Sequence, residues 1–187
     1  MCHLFQGFRG LVWCESHKKW DLDCLSGTVG RSKGRMYWGC FSWYGLGPIV
    51  ALKSSVTGDS YVKILRGYVL LGLKKFPSSN DRGRPIFQQD NARPHTADIA
   101  KAFMAKNRIR WMDWPPQSPD LNPIENMWSM VKRSLRRKPN PGNLKELDAL
   151  VKKAWIDVLP EYYHRLITSM PDRVVACINA GGGPIKH

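Results

Sequence analysis

Apolar residues along the chain fall first into short runs and later into a three-to-four spacing. Leu11-Val12-Trp13-Cys14, Arg35 to Phe41 and Pro48-Ile49-Val50-Ala51-Leu52 are short and rich in aromatic or β-branched residues, which predicts strands. Gly45 and Gly47 lie between the last two, so a hairpin is the expected connection. Tyr61, Ile64, Leu65, Tyr68, Val69 and Leu71 then recur at helical spacing and form a core-facing stripe ending near Lys74-Lys75. Residues Pro77 to Pro85 read as a breaker-rich loop.

Pro85 to Asp90 predicts a short strand running into a turn at Asn91 to Pro94. Thr96 is the expected cap of a helix over Ala97 to Lys106, and Ile109 to Met112 a further strand. Strand, helix and strand in that order predict a parallel βαβ unit. Trp114 to Pro123 carries four prolines and cannot be regular. A helix follows, with Asn122 as N-cap, Pro123 at the first position and Glu125 at the third, running to about Arg137. Asn143 with Glu146 caps another helix, and a last pair, broken at Pro171, runs from Glu161 to Ala180 before Gly181-Gly182-Gly183. The pattern is that of one α/β domain over 1–187, a sheet flanked by helices.

Charge narrows the partners. Lys plus Arg number 29 against 15 for Asp plus Glu, a formal charge of +14, and an excess of that size attracts polyanions. Nucleic acid is the commonest of these; an anionic membrane surface or plain solubility also fits the charge. Five cysteines without a C-x-x-C pair argue against a disulfide framework or a zinc site. No apolar run reaches the length of a membrane span, and no membrane partner is expected.

Two acids stand out by position. Asp90 ends a strand, where open α/β sheets gather their ligands, and Glu125 opens a helix after a stiff loop. Converging on one point, they would suit a hard divalent ion such as Mg²⁺. The plainer alternatives are a turn at Asp90-Asn91 and a capping role for Glu125. His95 is either a neighbour of Asp90, a DNA contact or an ordinary structural histidine. Lys132, Arg133, Arg136, Arg137 and Lys138 either follow a phosphate backbone or form a solvated helix end. Trp111 and Trp114 are expected in the core rather than stacked on bases.

The segment Phe87-Gln88-Gln89-Asp90-Asn91-Ala92-Arg93-Pro94-His95-Thr96 resembles the surroundings of the second catalytic aspartate of Tc/mariner transposases. Trp114 to Trp128 resembles the block holding their last catalytic acid, and the 34 residues between Asp90 and Glu125 match the family's spacing. Trp38 to Ser42, Gly45 to Pro48 and Tyr162 to Ala180 match as well. The resemblance implies a ribonuclease-H-like mixed sheet flanked by helices. It also implies two divalent ions, Mg²⁺ or Mn²⁺, ligated by Asp90 and Glu125, with Asn91, His95 and Asn122 as neighbours.

The family uses three acids, the first on the opening central strand. Counting back puts it at or before Met1, and Glu15, Asp21 and Asp23 do not fit its slot. The first strand and the upstream helix-turn-helix modules are therefore expected to be missing, the metal weakly bound, and strand cleavage nearly abolished. An enzyme-derived transposase remnant is the leading expectation. It would act on double-stranded DNA (transposon ends and target) as a homodimer in the nucleus. The alternatives are a domesticated, non-catalytic nucleic-acid-binding protein, an unrelated metal nuclease of the same fold, and a natural chain that begins further upstream.

Overall fold

The computed structural model describes residues 2–6, 35–53, 55–73, 85–116, 118–183 and 185. The strand expected over Leu11 to Cys14 and the basic pair Lys74-Lys75 lie outside them.

The β2 strand (Met36–Ser42) pairs antiparallel with β3 (Gly45–Leu52), Met36 opposite Leu52 and Trp38 opposite Val50. The hairpin turn is the two residues Trp43-Tyr44, tighter than the glycine-containing connection expected. Gly45 and Gly47 belong to the strand itself. A Cβ on Gly47 would lie 2.3 Å from the Cys40 sulfur, so this glycine permits the close pairing.

On the other edge of β2 runs β1 (Cys2–Gln6), also antiparallel, with Leu4 opposite Trp38. This strand lies outside the runs that the sequence marks as strands. Five residues are enough to extend the ladder beside β2, because an edge strand offers unpaired backbone groups to any extended segment. The parallel βαβ unit is present: β4 (Ile86–Phe87) pairs with β5 (Arg110–Trp111) in parallel.

Alternation along β2 divides the core. Tyr37, Gly39 and Phe41 face one way and Trp38 and Cys40 the other, as the two-residue period of a strand requires. On the first face pack α5 (Pro123–Arg136), α6 (Leu144–Ile156) and α7 (Pro160–Thr168), with Trp128 and Trp155 fully buried, 5.2 Å apart. On the second face pack α1 (Gly58–Ile64), a π-helical turn (Leu65–Val69), α2 (Leu70–Leu73) and α4 (Asp98–Lys106). The arrangement is helices on both sides of a central sheet. The helical stripe from Tyr61 onward is thus real, but its middle turn is π rather than α.

Local signals held unevenly. Asn143 caps α6 through the Glu146 amide at 2.9 Å, as its sequence predicts. Thr96 does not cap α4; it closes a one-turn helix α3 (Arg93–Thr96), and Ala97 precedes α4 with no side-chain cap. The last pair of helices breaks beside Pro171 as expected: α7 (Pro160–Thr168) ends just before α8 (Met170–Asn179), and Pro171 lies in the first turn of α8, where proline loses no hydrogen bond. No helix among the described residues is long and apolar enough to cross a membrane.

One buried pair gives a pH expectation. The Tyr37 hydroxyl donates to Asp148 Oδ1 at 2.8 Å, and Arg35 holds the same oxygen at 3.0 Å. Burial first, then the Asp148 hydrogen bond and charge, raises the phenol well above its ordinary value of 10.0. Below about pH 10 both folded and unfolded states keep this proton; above it the unfolded state ionises first, so stability falls with rising pH. Tyr37→Phe is expected to cost about 1 kcal/mol at neutral pH and to flatten that alkaline fall. Urea denaturation between pH 7 and 11 measures both.

Candidate metal and nucleic-acid site

The site lies where β4 ends and α5 begins, beyond the carboxyl end of a parallel strand. Gln88 and Gln89 continue β4 and are buried, yet each has a partner. Gln88 Nε2 donates to Asn122 Oδ1 at 3.4 Å, tying the strand end to the start of α5. Gln89 Oε1 accepts from the Tyr61 hydroxyl at 2.6 Å, and its amide donates to the His95 carbonyl at 3.2 Å. Buried amides satisfied on both sides hold the following residue in place, because breaking them would leave polar groups without water.

That following residue is Asp90. Its Oδ1 accepts from the Ala92 amide at 3.1 Å, an Asx turn, and meets His95 Nδ1 at 2.5 Å. The plain turn expected from the sequence is therefore present, and the carboxylate also anchors a histidine. His95 is fully buried against the Tyr61 ring, centroids 4.3 Å apart. Of the three readings of His95, its burial speaks against a DNA contact, and its ring nitrogen lies against Asp90. Asn91 is exposed and donates from Nδ2 to the Trp114 carbonyl at 2.6 Å, fastening the proline loop over the site.

Asp90 and Glu125 line the same cleft, of about 300 Å³, together with Asn91, Ala92, Trp114 and Asn122. Asn122 has extended dihedrals and Pro123 follows at the first helical position, as predicted, but Asn122 makes no side-chain cap. Its oxygen has turned to Gln88 instead, so the capping box expected with Glu125 does not form. Trp114 borders the cleft, whereas Trp111 is 37% exposed and not the core residue expected.

Two carboxylates beside amide and backbone oxygens are a hard, oxygen-only donor set, which fits Mg²⁺ or Mn²⁺ in kind. Among the described residues, no group of three His, Cys, Asp or Glu side chains is placed to hold a metal.

The basic residues share a helix with Glu125. On α5 the positions 125, 129, 132 and 136 follow one another along one face at three- and four-residue steps. At 1.5 Å per residue, Lys132 stands about 10 Å and Arg136 about 16 Å along the axis from Glu125. Lys132 is half-buried and Arg136 exposed on this face. Arg133 and Arg137 are exposed to one side of it, and Lys138 lies beyond the helix end.

Arg173, which the pattern of acids did not flag, is buried behind this site. Its Nη1 donates to the Asp120 carbonyl at 3.0 Å and to Asn126 Oδ1 at 2.9 Å. A buried charge can be recognised in a sequence only when its partners are known, and these are 53 and 47 residues away.

The chain resembles known proteins in sequence and in fold. The profile of a family described as DDE superfamily endonuclease matches residues 66–148. The Tcb1 transposase of Caenorhabditis briggsae is 33% identical over 152 residues, covering 81% of this chain and 54% of that protein. The Tc1 transposase of Caenorhabditis elegans is 32% identical over 157 residues, with 81% and 54% covered. The chain thus spans about half the length of these relatives. A structure of the Mos1 transposase catalytic domain with raltegravir and Mn superposes with a TM-score of 0.76 at 18% identity, covering 99% of this chain and 84% of that one. A pre-cleavage Mos1 transpososome gives 0.76 and 18%, with 99% and 56% covered. The fold is therefore the ribonuclease-H-like fold of that domain. By sequence, the chain belongs to the Tc/mariner transposases within the DDE superfamily of endonucleases, and its fold is that of the Mos1 transposase catalytic domain.

Proposed function

We propose that this domain binds double-stranded DNA across the Asp90–Glu125 cleft, where Mg²⁺ or Mn²⁺ held by these two acids serves phosphodiester cleavage and strand transfer. The observation that carries the proposal is the shared cleft: a strand-end acid and a helix-start acid open on one space under the proline loop. When bound, the ions would activate the attacking oxygen and stabilise the leaving one. The chain's own residues do the rest. His95 and the Ala92 amide orient the Asp90 carboxylate, Asn91 fixes the loop over the cleft, and the 132/136 side of α5 offers positive charge to the phosphates beyond it.

Among the described residues these two acids alone make an incomplete cage, so metal held by them is expected to bind weakly and to support little strand cleavage. Transposon ends and target DNA as substrates, a homodimer and a nuclear location belong to the same proposal through family membership. The alternative, a non-catalytic DNA-binding protein, is favoured by the lack of a third acid near Asp90 and Glu125 among the described residues.

The test pairs DNA binding with plasmid nicking in Mn²⁺. Binding should weaken steeply with salt, and Arg136→Ala should lower the slope of log affinity against log salt by about 1. Binding without nicking that is also indifferent to Mn²⁺ and to Asp90→Asn favours the non-catalytic alternative. Robust nicking lost in Asp90→Ala would overturn the expected near-inactivity and establish the catalytic role. Absence of DNA binding even at low salt sinks both.

A further inference from the structure

The first turn of α5 lacks the local device that usually fixes a helix start, because Asn122 does not cap it. Proline at the first position has no amide to bond, and the Glu125 amide reaches only the Asn122 carbonyl at 3.0 Å, so this turn would fray unless something else held it. A brace of another kind, which accepts no amide but ties the flanking residues down, comes from the far end of the chain. Arg173 on α8 donates from Nη1 to the Asp120 carbonyl, two residues before Asn122, and to Asn126 Oδ1, the residue after Glu125. Its Nε donates to Ser169 Oγ at 3.0 Å, which locks the side chain to its own helix. Two further bonds brace the same stretch. The Tyr162 hydroxyl donates to the Asn126 carbonyl at 3.2 Å, and the Ile185 amide donates to Asp120 Oδ2 at 2.9 Å.

Arg173 is 4% exposed, so its charge is held out of water and lies between the two segments that flank Glu125. Burial pushes the guanidinium below its ordinary value, while Tyr162 and Asp120 oppose that shift. A planar fork that satisfies two acceptors at fixed angles restricts both segments more than a flexible ammonium would.

We propose that Arg173 is a positioning residue of the metal cleft, clamping Asp120 and Asn126 so that the Glu125 carboxylate is presented toward Asp90. The inference rests on the proposed metal role of these two acids. Arg173 touches neither metal nor DNA and acts through the backbone on either side of Glu125.

The test compares the parent chain with Arg173→Lys, Arg173→Met and Asn126→Ala by two readouts. Hydrogen exchange of the peptide spanning 120–128 reports the clamp without any metal, and should speed about fivefold to tenfold in Asn126→Ala and Arg173→Met. Exchange in α6 should not change. Mn²⁺ affinity, from the loss of the free-ion electron paramagnetic resonance signal, should fall about tenfold in the same variants, and less in Arg173→Lys. Should Arg173→Met fail to fold, Asn126→Ala decides, since it leaves the Asp120 and Ser169 bonds intact.

Unchanged exchange over 120–128 in Asn126→Ala and Arg173→Lys overturns the clamp. Faster exchange with Mn²⁺ affinity equal to the parent's overturns the positioning role and leaves a structural strut. A parent chain whose Mn²⁺ binding is indifferent to Asp90→Asn and Glu125→Gln removes the metal reading itself, a failure recognisable without any Arg173 variant.

Discussion

Asp90→Asn is expected to lower Mn²⁺ affinity by roughly two orders of magnitude or more while leaving the fold nearly as stable as before. Asp90→Ala is expected to do the same to the metal and also to cost about 1–3 kcal/mol of stability. The difference follows from the three tasks of one carboxylate. It lines the cleft with Glu125, it accepts the Ala92 amide, and it meets His95 Nδ1. Asparagine removes the charge a hard cation needs but keeps an oxygen for the turn and for the imidazole. Alanine removes every acceptor. His95 is fully buried, and among the described residues its Nε2 has no hydrogen-bond partner, so loss of Asp90 leaves both ring nitrogens without one. A buried polar ring stripped of partners carries its full desolvation penalty. The two variants should therefore separate in thermal melts while coinciding in Mn²⁺ titrations. Equal melting temperatures would show that the Asp90–His95 contact contributes nothing to the fold. Parent-like Mn²⁺ binding by Asp90→Asn would remove Asp90 from the metal site.

The contrast between Asp90 and Arg173 shows where sequence reasoning reaches its limit. Asp90 and Glu125 were legible because each is marked by local chemistry: an acid ending an apolar run, and an acid just inside a helix opened by proline. Asn143 with Glu146 was legible for the same reason, and the cap forms. Asn122 shows the same signal and is a cap by dihedral only, since a buried glutamine 34 residues away competes for its oxygen. Thr96 likewise yields to a one-turn helix that buries His95. At Asn122 a tertiary partner prevails over a local preference, and no spacing in the chain reveals that partner; at Thr96 the competitor is local, the carbonyls of Ala92 and Arg93. Gly45 and Gly47 announced the hairpin correctly, although they stand in β3 rather than in its turn. Glycine signals a turn when a positive φ is needed, but at 47 it is required by the Cys40 sulfur across the hairpin. The division of the sheet into two faces, by contrast, follows from simple alternation in β2, which any reader of Tyr37 to Phe41 can write down.

Alternation also places the heaviest packing directly under the site, and it is there that the largest stability change is expected. Trp128→Ala should destabilise the domain by about 3–5 kcal/mol, because a fully buried indole is removed and neighbours fixed in a strand and two helices cannot close the space. Trp128 is 1% exposed, packs tilted against Trp155, and lies one turn after Glu125 on α5. Its ring reaches β2 at Gly39, where a Cβ would stand 2.9 Å from the Trp128 Cη2 and 3.3 Å from that of Trp155. Gly39→Ala is thus an overpacking change, expected to cost about 1–3 kcal/mol through a displaced indole. The two losses should not add. With Trp128 cut to alanine, the methyl group at 39 enters vacated space and meets only Trp155, so the double variant should be at least about 1 kcal/mol more stable than the sum of the single changes predicts. Urea denaturation of the four proteins closes the cycle. Strict additivity would mean that α5 is not seated on β2 through this contact, and the rigid footing of Glu125 on the sheet would then need another explanation.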